Sequence, residues 1–182
     1  YLVDFANPNS MECPLRLLDR DDRGVVESWM CAFSLSFSGD GRELIAGLSG
    51  GMFVVYDLEM CTDAVRNHDA HLADVNCVSF AHDSNHIIYS SGDDGVLKIW
   101  DRRIMNERAP QPVSVFVGHS HGITRHDARE DLRYLITNSK DQSIKMWDIR
   151  RPSPKSVVPL AQKTTQINSQ FWDYRQYEAG RR

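Results

Sequence analysis

The sequence predicts an all-β chain in which four-stranded sheets recur as the blades of an incomplete propeller. Three observations carry that reading. Aromatic–Asp pairs close three segments at Tyr56-Asp57, Trp100-Asp101 and Trp147-Asp148, the aromatic residues standing 44 and 47 positions apart. Within each segment, short runs rich in β-branched and aromatic residues alternate with turns rich in Gly, Asp and Asn. No stretch carries the apolar spacing of an amphipathic helix.

The elements follow in order. Residues 1–24 read as the end of a preceding blade, with strands at 1–5 and 15–19. Residues 25–69 form a degenerate first blade whose turns fall at 38–41 and 49–51. Residues 70–117 form the second, with strands at 75–81, 86–91 and 96–101. Its second turn is Gly92-Asp93-Asp94-Gly95, and Asp-Gly between apolar runs is the strongest short hairpin signal. Residues 118–160 form the third, with strands at 123–128, 133–139 and 143–148. Outer fourth strands are expected near 63–67, 113–117 and 156–160. Beyond Pro152 the chain turns polar, and residues 161–182 read as a polar linker carrying one more Trp-Asp pair.

Counting back from the tryptophans sharpens the repeat. His71 precedes Trp100 by 29 residues and His119 precedes Trp147 by 28. Ser90 and Asp94 lie ten and six before Trp100; Thr137 and Asp141 hold the same offsets before Trp147. These residue types predict a buried relay from indole to hydroxyl to imidazole to carboxylate. Each member needs its partner, because an unpaired buried polar group costs about 1–3 kcal/mol. The first blade has Ala46, Gly50 and Tyr56 at these offsets, lacks the relay, and is expected to be the least rigid. A G-H…W-D repeat of this length marks the WD-repeat blade. Three blades are about half of a seven-bladed ring, so the arc is expected to expose sheet faces that further blades would cover. The chain opens on Tyr1, as a piece of a longer protein would.

Composition narrows the function. Twenty-five acidic residues against 21 basic give a net charge of −4, which argues against a broad nucleic-acid footprint. No run approaches the roughly 18 consecutive apolar residues of a membrane helix, and no secretory leader is visible. Cys13, Cys31, Cys61 and Cys77 include no C-x-x-C pair, and buried free thiols are expected. With no N-x-[ST] sequon, an intracellular location, nuclear or cytoplasmic, is expected.

Catalytic patterns are present in letters only. Gly47-Leu48-Ser49-Gly50-Gly51 matches the G-x-S-x-G elbow, but a strand-like run follows where a helix is required. Ser90, His71 and Asp94 have the residue types of a triad, yet the set recurs one blade later, as scaffolding does. His119, His121 and His126 lie near Asp127, but strand alternation puts His126 and Asp127 on opposite faces. No catalytic residue, metal or cofactor is expected.

The remaining pattern is W-D-x-R, at Arg103, Arg150 and Arg175. Recurrence in consecutive blades places guanidiniums on one rim, suited to bidentate engagement of carboxylates at an interface. At these residues, and at Asn138-Ser139-Lys140-Asp141-Gln142-Ser143-Ile144-Lys145 with Trp172-Asp173-Tyr174-Arg175, the sequence resembles the WD-repeat substrate receptors of cullin-4 ubiquitin ligases. The resemblance implies a non-enzymatic receptor that holds a target protein for ubiquitination and proteasomal degradation. It implies that Arg103, Arg150 and Arg175 dock to the damaged-DNA-binding adaptor of the ligase. Two rival readings are a WD-repeat scaffold of another complex, with the arginines paired inside their blades, and a propeller hydrolase using Ser49 or Ser90.

Overall fold

The computed structural model describes residues 2–3, 11–13, 30–82, 84–105 and 110–171, with side chains over residues 30–166 of these. Strand β1 (Leu2–Val3) pairs antiparallel with β2 (Met11–Cys13). The strand expected at 15–19 lies outside the described residues.

Three sheets follow. The first runs β3 (Ala32–Phe37), β4 (Glu43–Leu48), β5 (Phe53–Asp57), β6 (Thr62–Asn67), each strand antiparallel to the next. The second repeats this order with β7 (Cys77–Ala81), β8 (Ser84–Ser91), β9 (Val96–Asp101) and β10 (Ser114–Val117). The third holds β11 (Ile123–Ala128), β12 (Tyr134–Ser139) and β13 (Ile144–Asp148). Tight turns impose the meander. Between β8 and β9, Gly95 has φ +74° and donates its N–H to Gly92 O at 3.1 Å. The same place in the third sheet is held by Gln142 at φ +63°.

The third sheet departs from expectation. Among the described residues it has no fourth strand, and the stretch expected as one is a 3₁₀ turn, Lys155–Val157, leading into α1 (Val158–Phe171). The helix also replaces the first part of the polar linker expected from residue 161. Pro152 and Pro154 withhold the N–H groups a strand would donate, whereas Pro159 falls in a helical first turn that needs no donor there. The helix docks through Val158, Ala161, Gln162 and Thr165, a helical spacing that apolar residues alone do not reveal. On the way, Ser153 donates its N–H to Val115 O at 2.8 Å and accepts from Val117 N–H at 3.1 Å, so the chain returns along the outer strand of the second blade.

The core lies between the sheets. Ile45, Phe53 and Val55 of the first blade interdigitate with Val75, Val78, Phe80, Ile88 and Trp100 of the second. Tyr89, Leu97, Ile99 and Phe116 then pack against Ile123 and Leu135 of the third. Each fully buried side chain of this kind contributes about 1.5–3 kcal/mol. The two end faces are open: Phe33, Leu35 and Phe37 on β3, and Ile136, Ile144 and Met146 on β12 and β13. Cys77 is buried as expected, but Cys31 and Cys61 are exposed. Cys31 sits one residue ahead of β3 at the open end, and Cys61 occupies the β5–β6 turn at φ +53°.

Candidate functional site

Both relays are assembled. In the second blade, Trp100 Nε1–H donates to Ser90 Oγ at 2.8 Å, Ser90 Oγ meets His71 Nε2 at 2.7 Å, and His71 Nδ1 meets Asp94 Oδ1 at 2.9 Å. In the third, Trp147 Nε1–H donates to Thr137 Oγ1 at 2.9 Å, Thr137 meets His119 Nε2 at 2.7 Å, and His119 Nδ1 meets Asp141 Oδ2 at 2.8 Å. Each relay ties the loop entering a blade to the turn between its second and third strands. Burial alone would raise the Asp94 carboxyl. The charge and hydrogen bond of His71, reinforced by Lys98 and Gln162, outweigh it and hold Asp94 well below the usual carboxylate range.

The part that α1 plays in this network was not legible in the sequence. Gln162 of α1 donates to Asp94 Oδ2 at 2.7 Å, covering the relay of a blade that closed long before in the chain. Where Gly95 lies, an added Cβ would sit 2.7 Å from Thr165 Oγ1, so the glycine admits the helix. His126, weighed above as a metal ligand, pins the second blade to the third. Its Nε2 meets Ser79 Oγ at 3.0 Å and its Nδ1 meets Ser91 Oγ at 2.8 Å. Burial, with smaller contributions from Arg125 and His71, lowers its pKa to about 3, so the ring is neutral. Strand alternation separated it from Asp127 but did not say which of the two points inward, and nothing in the sequence marked the two hydroxyls.

The arginines stand at the other end of the sheets. Strand β9 runs from the relay turn to Asp101, and six residues at about 3.3 Å each set the two features nearly 20 Å apart. Asp101 Oδ1 accepts Arg103 N–H at 3.0 Å and Nε–H at 2.9 Å, while Oδ2 accepts Nη2–H at 2.6 Å. Asp148 and Arg150 repeat the pattern at 3.1, 3.0 and 2.7 Å. Both arginine side chains remain 62% exposed. The hydrogen bond from Arg103 is the main reason the Asp101 carboxyl falls to about 2, and Asp148 is held low in the same way by Arg150. In the first blade Asp57 Oδ1 accepts the N–H groups of Glu59 and Met60 at 2.9 and 2.8 Å, the same turn with an acidic residue in the arginine's place. Trp172, Asp173 and Arg175 lie outside the described residues.

The serines weighed as nucleophiles are otherwise engaged. Ser49 accepts the Cys31 N–H at 3.0 Å in a 3₁₀ turn followed by strand β5. Ser90 is fully buried, its hydroxyl shared between an indole and an imidazole. Among the described residues no group of His, Cys, Asp and Glu is arranged to hold a metal ion. No helix among them is long and apolar enough to cross a membrane.

Blades that carry this relay and meander from strand to strand define a WD-repeat propeller, and the chain belongs to the WD-repeat proteins. The WD domain, G-beta repeat family matches residues 62–101 and 110–148. More particularly, the chain is homologous to proteins named DDB1- and CUL4-associated factor 11 homolog. It is 43% identical to the one from Caenorhabditis elegans over 80% of this chain and 25% of that protein. It is 47% identical to the LEC14B protein of Lithospermum erythrorhizon over 95% of this chain and 34% of that protein. The chain thus spans between a quarter and a third of the length of these relatives. Among solved structures, a chain of a mitotic checkpoint complex superposes with TM-score 0.61 at 28% identity, covering 74% of this chain and 41% of that one. The WD40 repeats of RRP9 give 0.59 at 18% identity, covering 68% and 37%.

Proposed function

We propose that this chain is the adaptor-docking arc of a cullin-4 substrate receptor, with Arg103 and Arg150 contacting the DDB1-type adaptor. The observation that carries the reading is the pair of guanidiniums: same position in adjacent blades, same bidentate pose, same exposure. The names of the relatives from Caenorhabditis support it. Arg175, in the third W-D-x-R, is assigned the same role. Because Asp101 and Asp148 hold the Nε and Nη2 edge of each arginine, the side chain is ordered before a partner arrives, and less entropy is lost on docking. The receptor does no chemistry itself: it raises the local concentration of a bound target near the ligase. The target is held by a surface other than the arginine rim.

In the parent protein, Arg103→Ala with Arg150→Ala is expected to weaken adaptor binding at least about 100-fold, the loss of two interface anchors of about 1.5–2 kcal/mol each. Recovery of the adaptor unchanged in a pull-down overturns the reading. It would leave the intrablade Asp–Arg pairs as rim stabilisers in a scaffold of another assembly.

A further inference from the structure

The W-D-x-R motif leaves its third residue open, yet in this structure that residue ties each rim turn to its surroundings. Its backbone makes the same bond in all three blades: Leu58 N–H to Arg42 O at 2.9 Å, Arg102 N–H to His86 O at 2.9 Å, Ile149 N–H to Arg133 O at 3.0 Å. All three side chains are half-buried, whereas the residues that follow, Glu59, Arg103 and Arg150, are exposed. The buried side chains anchor differently. Arg102 reaches into the first blade, donating from Nη1 to Glu43 Oε2 at 2.6 Å and from Nη2 to Glu43 Oε1 at 2.8 Å, both side chains largely shielded. Ile149 packs instead against the apolar cluster in which Tyr89, Leu97 and Ile99 meet Ile123 and Leu135.

We propose that Arg102 and Ile149 are the positioning residues of the docking rim, each fixing the turn that presents the next arginine against the blade before it. Asp101 fixes Arg103 only within its own turn, through bonds two residues long in sequence. What fixes that turn relative to the first blade is the Arg102–Glu43 fork, whose two parallel bonds resist both translation and rotation. The spacing between successive rim arginines, which an adaptor must match, is then set by the interblade anchors. An ion pair serves one blade junction and an apolar contact the other. This role rests on the docking reading above.

The test is a set of cycles in the parent protein, with affinity for the purified adaptor measured by calorimetry and thermal midpoints recorded for every variant. Arg103→Ala and Arg150→Ala are measured first. If neither weakens binding, the docking reading fails and the positioning role with it. If they do, Glu43→Gln is expected to weaken binding about tenfold, and Arg103→Ala added to it should cost at least about threefold less than in the wild type, because both changes act through the one turn that carries Arg102 and Arg103. Arg150→Ala should cost the same in both backgrounds. The pair Glu43→Met with Arg102→Met, which imitates the apolar anchor at Ile149, should restore affinity to within about twofold. A lowered thermal midpoint with fully multiplicative effects of Glu43→Gln and Arg103→Ala overturns the positioning role alone, as does unchanged affinity in Glu43→Gln.

Discussion

The second and third blades carry the same relay at nearly the same distances, but their surroundings differ. The second is packed on both faces, and its tryptophan is buried edge-on against Phe53, ring centres 5.6 Å apart at 65°. Its carboxylate is covered by the helix. Among the described residues, the third is packed on one face only. Its tryptophan is half-buried beside Phe116, Ile144 and Met146 lie open at 76% and 70% exposure, and Asp141 lies partly in solvent. Hydrogen-bond geometry is therefore fixed by the spacing of the residues, while the free energy attached to it is fixed by neighbours. The carboxylates show this too. Asp141, unlike Asp94, draws its stabilisation against desolvation chiefly from nearby Ser143 and His119.

The sharpest way to break the comparison is to remove the central hydroxyl of each relay. Ser90→Ala strands a buried indole N–H and a ring nitrogen and should cost about 3 kcal/mol, whereas Thr137→Val, in the open blade, should cost about 1–1.5 kcal/mol. Denaturant unfolding that finds equal losses would refute the role given to burial.

Next is acid. His126 folds neutral with a pKa near 3 but titrates near 6.5 when unfolded. The unfolded chain therefore binds the extra proton between those values, so stability is complete above pH 6.5 and falls as pH drops through that window. The loss should reach about 2 kcal/mol by pH 5, before the depressed aspartates begin to contribute below about pH 4. His126→Gln should flatten the slope between pH 6.5 and 5 in thermal melts.

Smaller effects sharpen the contrast. Gln162→Ala should cost about 1 kcal/mol and speed amide exchange in α1 and the 92–95 turn, leaving the 139–143 turn unchanged. Gln142→Gly should stabilise by about 0.5–1 kcal/mol, because the third blade asks a side chain to adopt the left-handed conformation that Gly95 supplies in the second. A melt that shows no gain would remove strain from the list of differences between the blades.

Much of this was readable before any coordinates. Relay spacing survives in sequence because both partners of each contact belong to one hairpin or the loop entering it, so Ser90, Asp94 and Trp100 must recur at set offsets. The rim arginines are readable for the same reason, being two residues from their own aspartates. Contacts between blades are not. Glu43 and Arg102 are 59 positions apart, and nothing local selects one for the other. Helix α1 was hidden because its docking face holds Gln162 and Thr165 instead of leucines, and hydrophobic periodicity registers only apolar faces. That residues 155–160 form a 3₁₀ turn and the start of a helix instead of an outer strand was missed because repeat counting assumes every blade is complete.

Helix α1 leaves the third blade yet lands on the second, so the W-D signature at Trp147-Asp148 is a poor place to cut this chain. Truncation just after it would deprive Asp94 of a donor and uncover the 92–95 turn, and the injury would register one unit upstream of the missing residues. Deletion mapping in proteins of this kind should therefore assign a lost activity by where the removed segment rests, not by where it is encoded.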